Sequence, residues 1–281
     1  MKISKTTVLE FVAEFLATML LALMLYLAPM LAAGIEPFFI AFAIMVIWYV
    51  FSPLSKTHMN PAVTLGEYLV SLFRQAVAKK FYAKDLITFL AYIVVQLLAF
   101  FAAFPIANWV KPNFVNFEMI KNGYGTSDQV RQSLLQSLNF SNTFVTGFDS
   151  TAFVLEMLGT FFVVFVFLKI STSEKFKSYL GFIWGLAYFT GLIITTQFTG
   201  GALNPWKSLV AAVIEKGTAL SQLWVFIVAQ ILGTLIAAVV YAVLRWLEIP
   251  KKARARQSSA VRASAPKAVR STKVKRKAKR K

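Results

Sequence analysis

Long apolar stretches joined by short polar segments make up most of this chain. Stretches long enough to cross about 30 Å of hydrocarbon as helices lie near 8–28, 37–53, 86–107, 151–170, 178–198 and 222–244. The pattern therefore predicts an all-α membrane protein with six transmembrane helices.

Two further apolar segments, near 60–72 and 204–214, are too short to cross a bilayer, and both begin with Asn-Pro. Asn is a favoured N-cap, and Pro is favoured at the first helical position because the N–H that it lacks would have no partner there. Each segment is therefore predicted to be a re-entrant half-helix that dips into the bilayer and returns.

The two halves of the chain are related to each other. FVAEFLATML at 11–20 matches FVLEMLGTFF at 153–162, and YIVVQLLAF at 92–100 matches FIVAQILGT at 226–234. Since each half holds three spans, the second half enters the membrane inverted relative to the first. The two half-helices then enter from opposite faces and meet near the bilayer midplane.

The place where the half-helices meet predicts the chemistry of the chain. Irregular backbone at membrane depth is tolerated only where protein buries it or where it lines a watery cavity, so a central path is expected. Asn60 and Asn204 would offer amide donors in this path, next to the positive ends of two helix dipoles. A neutral molecule can accept these hydrogen bonds, whereas a cation or a hydrated proton is repelled.

The composition supports a membrane protein and argues against several kinds of chemistry. Of the 281 residues 58% are hydrophobic, none is cysteine, and His58 is the single histidine. A metal site, a thiol nucleophile and a disulfide are therefore not expected. Because no activated nucleophile or acid–base pair stands out either, we expect neither enzymatic activity nor a cofactor.

The charges divide the chain into a body and a tail. The formal net charge is +18, and residues 245–281 hold fifteen Lys or Arg and one acid. We expect a channel domain over 1–246, with repeats at about 8–107 and 151–246, and a disordered polybasic tail at 247–281. The tail is expected to bind anionic lipid headgroups. Nucleic acid is the weaker candidate, because the tail has no aromatic residues on which bases could stack.

The basic residues outside the tail predict the orientation. Most of them lie in short connections on one side of the predicted helices, namely Lys56, Arg74, Lys79, Lys80, Lys84, Lys169, Lys175 and Lys177. By the positive-inside rule both termini are predicted to be cytoplasmic, with the protein in the plasma membrane. Residues 108–149 are then predicted to form a long extracellular loop.

Two motifs carry a resemblance to a known family. SKTHMNPAVTLG at 55–66 and FTGGALNPWKS at 198–208 resemble the two signatures of the aquaporin (major intrinsic protein) family, and the likeness covers residues 1–246. It implies six tilted helices and two half-helices around a narrow pore in each subunit, with the lipid bilayer around a homotetramer. By position, the resemblance places the half-helix starts at Pro61, Ala62, Pro205 and Trp206. It places the outer selectivity constriction at Ile40, Leu192, Gly201 and Lys207.

The second motif departs from the family, because the usual Ala-Arg after Asn-Pro is Trp206-Lys207 here. Lysine keeps the positive charge of arginine but loses its planar donor fork, so solutes would be oriented less strictly. Trp206 is bulkier than alanine, and conduction would fail if its ring pointed into the path.

Ionisable and amide side chains inside the spans are predicted to support the half-helix loops. Glu14 and Glu156 lie in apolar stretches, where a carboxylate is costly unless it is paired or faces a wet path. We expect each to accept hydrogen bonds from a loop backbone, with a proton relay as the alternative. For His58 we expect loop hydrogen bonding, with a pH gate as the alternative. Gln96 and Gln230, at matching repeat positions, are expected to bridge helices or loops.

The resemblance leaves the substrate open between water and small neutral solutes. Family members that pass glycerol generally carry Asp where this chain has Ser208, together with an insertion before the sixth helix for which there is no room here. Against this, Leu192 replaces a frequent histidine and leaves an apolar wall. We expect a water channel with some leakage of small neutral solutes. The alternatives are a glycerol facilitator, a non-conducting structural or interaction protein, and an anion path along Lys207.

Overall fold

The computed structural model describes residues 5–31, 34–138, 140, 142–143 and 150–248. Residues 249–281, where most of the predicted tail falls, lie outside the described residues. The described residues form α-helices and short 3₁₀ turns without any strand, and the helices are α1 (Lys5–Leu27), α2 (Glu36–Phe51), α3 (Pro61–Ala78), α4 (Ala83–Lys121), α5 (Asp128–Ser137), α6 (Ser150–Ser171), α7 (Leu180–Thr199), α8 (Pro205–Glu215) and α9 (Gly217–Glu248). The predicted all-α fold is confirmed.

Six of these helices correspond to the six predicted spans. By length and composition, α1, α4, α6, α7 and α9 are long and apolar enough to cross a membrane, and α2 is an apolar helix of 16 residues. Their outer faces expose large apolar side chains, such as Phe42, Val94 and Val239. Such a surface suits lipid rather than water.

The helices pack as two inverted halves. Helix α1 packs on α4 as α6 packs on α9, and α2 packs on α7 across the centre. The half-helix α3 contacts α9 from the other half, and α8 contacts α4. Each half-helix is thus held between helices of both repeats.

Glycine permits the closest helix crossings. A Cβ added at Gly233 would lie 2.3 Å from the backbone oxygen of Met157, so α9 approaches α6 to backbone contact. A Cβ added at Gly185 would lie 2.8 Å from the carbonyl oxygen of Ala41, at the crossing of α7 with α2. Small residues at such crossings are the usual means of close packing between helices in membranes.

Helix α4 is longer than the sequence predicted. The span was expected to end near 107 and to be followed by a loop over 108–149, but the helix continues to Lys121, and α5 follows within the same segment. Pro105 and Pro112 lie inside α4 without ending it. Beyond Pro112 the helix still buries an apolar face, with Val115 and Met119 one turn apart.

Candidate functional site

The two half-helices begin at the predicted caps. Asn60 Oδ1 accepts a hydrogen bond from the Ala62 N–H at 2.8 Å, and Asn204 Oδ1 accepts one from the Trp206 N–H at 3.1 Å. Both asparagines have extended backbone, as N-caps do, and proline occupies the first helical position of α3 and of α8. Pro61, Ala62, Pro205 and Trp206 are therefore the half-helix starts in the structure.

Reciprocal hydrogen bonds join the two tips. Asn60 Nδ2 donates to the carbonyl oxygen of Leu203 at 2.8 Å, and Asn204 Nδ2 donates to the carbonyl oxygen of Met59 at 3.0 Å. Each asparagine thus holds the residue that precedes the other asparagine. The positive ends of two helix dipoles face each other at this point. The structure brings the tips together, whereas the role of the two amides as donors to a permeating molecule stays a prediction.

Two buried carboxylates fix the loops that lead into the half-helices. Glu14 accepts hydrogen bonds from the backbone N–H groups of His58 at 3.2 Å and Met59 at 2.7 Å. Glu156 accepts them from Ala202 and Leu203, each at 3.0 Å. These contacts support the interpretation that Glu14 and Glu156 brace the loops, because the carboxylate oxygens accept hydrogen bonds from loop backbone N–H groups that helix bonding leaves unpaired.

The glutamines at matching repeat positions complete the same network. Gln96 Nε2 donates to Glu14 at 2.9 Å, and Gln230 Nε2 donates to Glu156 at 3.2 Å. Both carboxylates and both amides are at most 1% exposed. The repeat that is visible in the sequence therefore reappears as two equivalent hydrogen-bond networks.

His58 is held from two sides. Its Nδ1 lies 3.1 Å from Thr64 Oγ1, and its Nε2 lies 2.5 Å from a carboxylate oxygen of Glu67. Glu67 also pairs with Lys56 at 2.9 Å. With 3% of its surface exposed, His58 is a loop-bracing side chain in this arrangement.

The residues of the predicted outer constriction lie on three elements. Ile40 belongs to α2, Leu192 to α7 and Lys207 to α8, and all three are at most 4% exposed. Gly201 lies against Leu192, because a Cβ added to the glycine would be 2.8 Å from Leu192 Cδ2. Their role in selectivity stays a prediction.

Asn142 forms a hydrogen bond with Lys207, and the sequence did not predict this contact. Lys207 Nζ donates to Asn142 Oδ1 at 2.8 Å, and Asn142 Nδ2 donates to the carbonyl oxygen of Thr199 at 2.8 Å. Asn142 lies in the segment that was expected to be an extracellular loop, where one polar residue among many carries no distinguishing signal.

Trp206 points away from the asparagine tips. Its Nε1 donates to the carbonyl oxygen of Ile93 on α4 at 3.1 Å, and its ring packs against the apolar core. The bulk of this residue is therefore accommodated between α8 and α4. This placement does not support the alternative in which Trp206 plugs the path.

The sequence also missed Tyr188. Its hydroxyl accepts a hydrogen bond from Asn60 Nδ2, so it lies at the level of the two tips. The spacing along the chain was a signal for this position, because Tyr188 is one helical turn from Leu192 and lies sixteen residues before Asn204, as Ile44 lies sixteen before Asn60.

Within the described part of the chain, no group of three or more His, Cys, Asp or Glu side chains could hold a metal ion.

Comparisons with known proteins agree with this architecture. Residues 2–241 match the family described as Major intrinsic protein. Aquaporin Z of Rhodopseudomonas palustris is 27% identical over 222 residues, which cover 77% of this chain and 82% of the relative. Glycerol uptake facilitator protein-like 6 of Lactiplantibacillus plantarum is 27% identical over 239 residues, covering 82% of this chain and 94% of the relative.

Among solved structures, the aquaglyceroporin from Plasmodium falciparum is similar in fold. The TM-score is 0.60 at 20% sequence identity, and the match covers 83% of this chain and 95% of that structure. At this identity the likeness concerns the fold alone.

Proposed function

This chain belongs to the major intrinsic protein family, whose members are passive channels and not enzymes, and from that premise we propose that it conducts water and excludes protons and cations. The observation that carries the proposal is the pair of reciprocal bonds between the tips, from Asn60 to Leu203 and from Asn204 to Met59. They hold two helix N-termini face to face, and a cation at that point meets two positive dipole ends.

The outer end of the proposed path adds a second barrier to cations. Lys207 lies one helical turn from Asn204 and keeps a positive charge there, although Asn142 takes one of its hydrogen bonds. Ile40 and Leu192 are buried apolar side chains, and we assign them to the same constriction. An anion would lose its hydration against such apolar side chains, which argues against an anion path.

A glycerol facilitator is the second candidate. The apolar side chains of Ile40 and Leu192 favour it, because they could face the carbon chain of a polyol while Lys207 donates to its hydroxyl groups. One relative is named a glycerol uptake facilitator and another Aquaporin Z, so relatives of both kinds are similar to this chain. Small neutral solutes such as glycerol are therefore proposed as minor substrates.

Osmotic assays on proteoliposomes test the proposal. We expect vesicles that contain the full chain to shrink in a sucrose gradient faster than empty vesicles, with little swelling in glycerol and no dissipation of an imposed proton gradient. Glycerol uptake at the rate of water flow would favour the second candidate. Water and glycerol permeabilities that both equal those of empty vesicles, beside a working channel prepared in parallel, would contradict both candidates.

The assembly and orientation are proposed on the same premise. We propose a homotetramer with one path per subunit, in a plasma membrane, with both termini cytoplasmic and the basic tail at anionic lipid headgroups. The apolar outer faces of the helices support contact with lipid or with further copies of the chain. Light scattering of the detergent-solubilised protein would give the subunit number.

A further inference from the structure

Tyr188 occupies the donor that the first tip would offer to a passing molecule. Asn60 Nδ2 carries two hydrogens, and it donates to the Tyr188 hydroxyl and to the Leu203 carbonyl oxygen. Asn60 therefore has no N–H left for a guest in this arrangement.

The second tip differs from the first. Asn204 Nδ2 donates to the Met59 carbonyl oxygen at 3.0 Å, and no second acceptor for it is found among the described side chains and loops. The repeat equivalent of Tyr188 is Ile44, which has no polar atom to offer. One amide is thus saturated by the protein, and the other keeps a free N–H.

The tyrosine ring is wedged at the same level. Tyr188 packs edge-on against Trp184 at 5.3 Å between ring centroids, and Trp184 packs edge-on against Phe167 at 5.0 Å. Tyr188 is 1% exposed, while Ile44 and both asparagines are fully buried. The ring of Tyr188 is therefore buried beside the Asn60 tip, at the level where the proposed path would run.

We propose that Tyr188 is the specificity-determining residue of the midplane, where its hydroxyl holds the Asn60 donor and its ring limits the width of the path. The inference rests on the proposed function, since it assumes that the path runs between the tips. A water molecule can replace the Tyr188 hydroxyl as the hydrogen-bond partner of Asn60 Nδ2, because water both donates and accepts hydrogen bonds. A polyol needs the ring itself to move, so Tyr188 excludes polyols more strongly than water.

Two substitutions separate the hydroxyl from the ring. Tyr188→Phe frees the Asn60 N–H and leaves the ring, so we expect water permeability per channel to rise about five-fold, the factor that one ordinary hydrogen bond contributes, with glycerol permeability unchanged from the parent. Tyr188→Leu also removes the ring, so we expect glycerol permeability to rise above the parent value. Tyr241→Phe is the matched control, a buried tyrosine whose hydroxyl contacts Thr172 Oγ1 at 3.1 Å, just after α6, and it should leave both permeabilities at the parent value.

The outcomes distinguish the inference from the function on which it rests. If the parent conducts water and neither Tyr188 variant changes water or glycerol permeability, the inference is overturned and the proposed function stands. If neither the parent nor any variant conducts, both are overturned. If Tyr188→Leu does not fold, Tyr188→Phe decides alone, because it removes one oxygen atom. For Tyr188→Leu the decisive reading is a glycerol permeability above the parent value, since loss of folded protein lowers permeability and cannot raise it.

Discussion

At the scale of single residues, the most demanding feature of this protein is the burial of two carboxylates inside apolar helices. Glu156 receives four hydrogen bonds, from the Thr199 hydroxyl, the Gln230 amide and two consecutive backbone N–H groups. Glu14 receives the same kind of set, with three hydrogen bonds from its own loop and one from Gln96 on α4. A carboxylate suits these positions because it only accepts, and all of its neighbours donate.

Replacing the carboxylate by an amide should therefore loosen the loop before α8. In Glu156→Gln, the new NH₂ group faces donors, and we expect a loss of about 3 kcal/mol in the free energy of unfolding, on the scale of one or two charge-assisted hydrogen bonds. Chemical denaturation in detergent micelles would measure it. Glu174→Gln, the same change at an exposed position between α6 and α7, is the control and should cost almost nothing. Equal stability of the two variants would contradict the bracing role.

At the scale of elements, the sequence predicted the helices well where apolar runs end at polar turns. The six spans and both half-helices begin within about five residues of the predicted positions, and the half-helix starts were predicted best because Asn-Pro marks a helix start whatever surrounds it. The extension of α4 was missed because Pro112 and the polar residues after it resemble a loop. The structure shows instead that Val115 and Met119 bury a face that keeps the helix going.

The contacts between elements were harder to predict than the elements themselves. The bracing of the loops by Glu14 and Glu156 could be predicted from the repeat. The place of Tyr188 was missed because a tyrosine in an apolar span is usually a packing residue, although its spacing from Leu192 and Asn204 placed it on the α7 face that meets the tips. The contact between Asn142 and Lys207 was missed as well, since a long segment between helices gives no register from which to predict a contact.

The crossing of α6 and α9 gives a prediction at this scale. In Gly233→Ala, the new methyl group would lie 2.3 Å from the Met157 backbone oxygen, so the two helices must separate. In Gly66→Ala, the nearest atom, at 2.6 Å, is a methyl group of the Val164 side chain and not backbone. We expect Gly66→Ala to cost less than Gly233→Ala, because a side chain can shift further than a helix backbone and alanine gains about 1 kcal/mol of helix propensity over glycine. Gly233→Ala should cost about 1–3 kcal/mol or more, measured as thermal stability in detergent. A larger loss at Gly66 than at Gly233 would contradict the backbone contact.

At the scale of the whole molecule, the two ends of the helix bundle differ in the number of basic residues that they carry. At one end, Lys169 of α6 pairs with Glu248 of α9. At the same end, the hydroxyl of Tyr49, near the end of α2, donates to the carbonyl oxygen of Ser178 in the connection between α6 and α7. The loop before α3 and the start of α4 lie at this end as well, where Lys56, Arg74 and Lys84 line one cleft. At the other end, the turn at Ala28–Met30 lies against the end of α4 and against α5.

This asymmetry makes the orientation testable with one chemical label. The chain has no cysteine, so a single introduced thiol reports its own side of the membrane. Thr126→Cys lies between α4 and α5, and Glu174→Cys lies between α6 and α7, and both positions are exposed. By the positive-inside rule, a membrane-impermeant maleimide added to intact cells should label Thr126→Cys and leave Glu174→Cys unlabelled until the cells are permeabilised. The reverse pattern would place the basic end outside. Labelling of both positions in intact cells would contradict the placement of these two connections on opposite faces, and with it the inverted arrangement that lets α3 and α8 meet tip to tip.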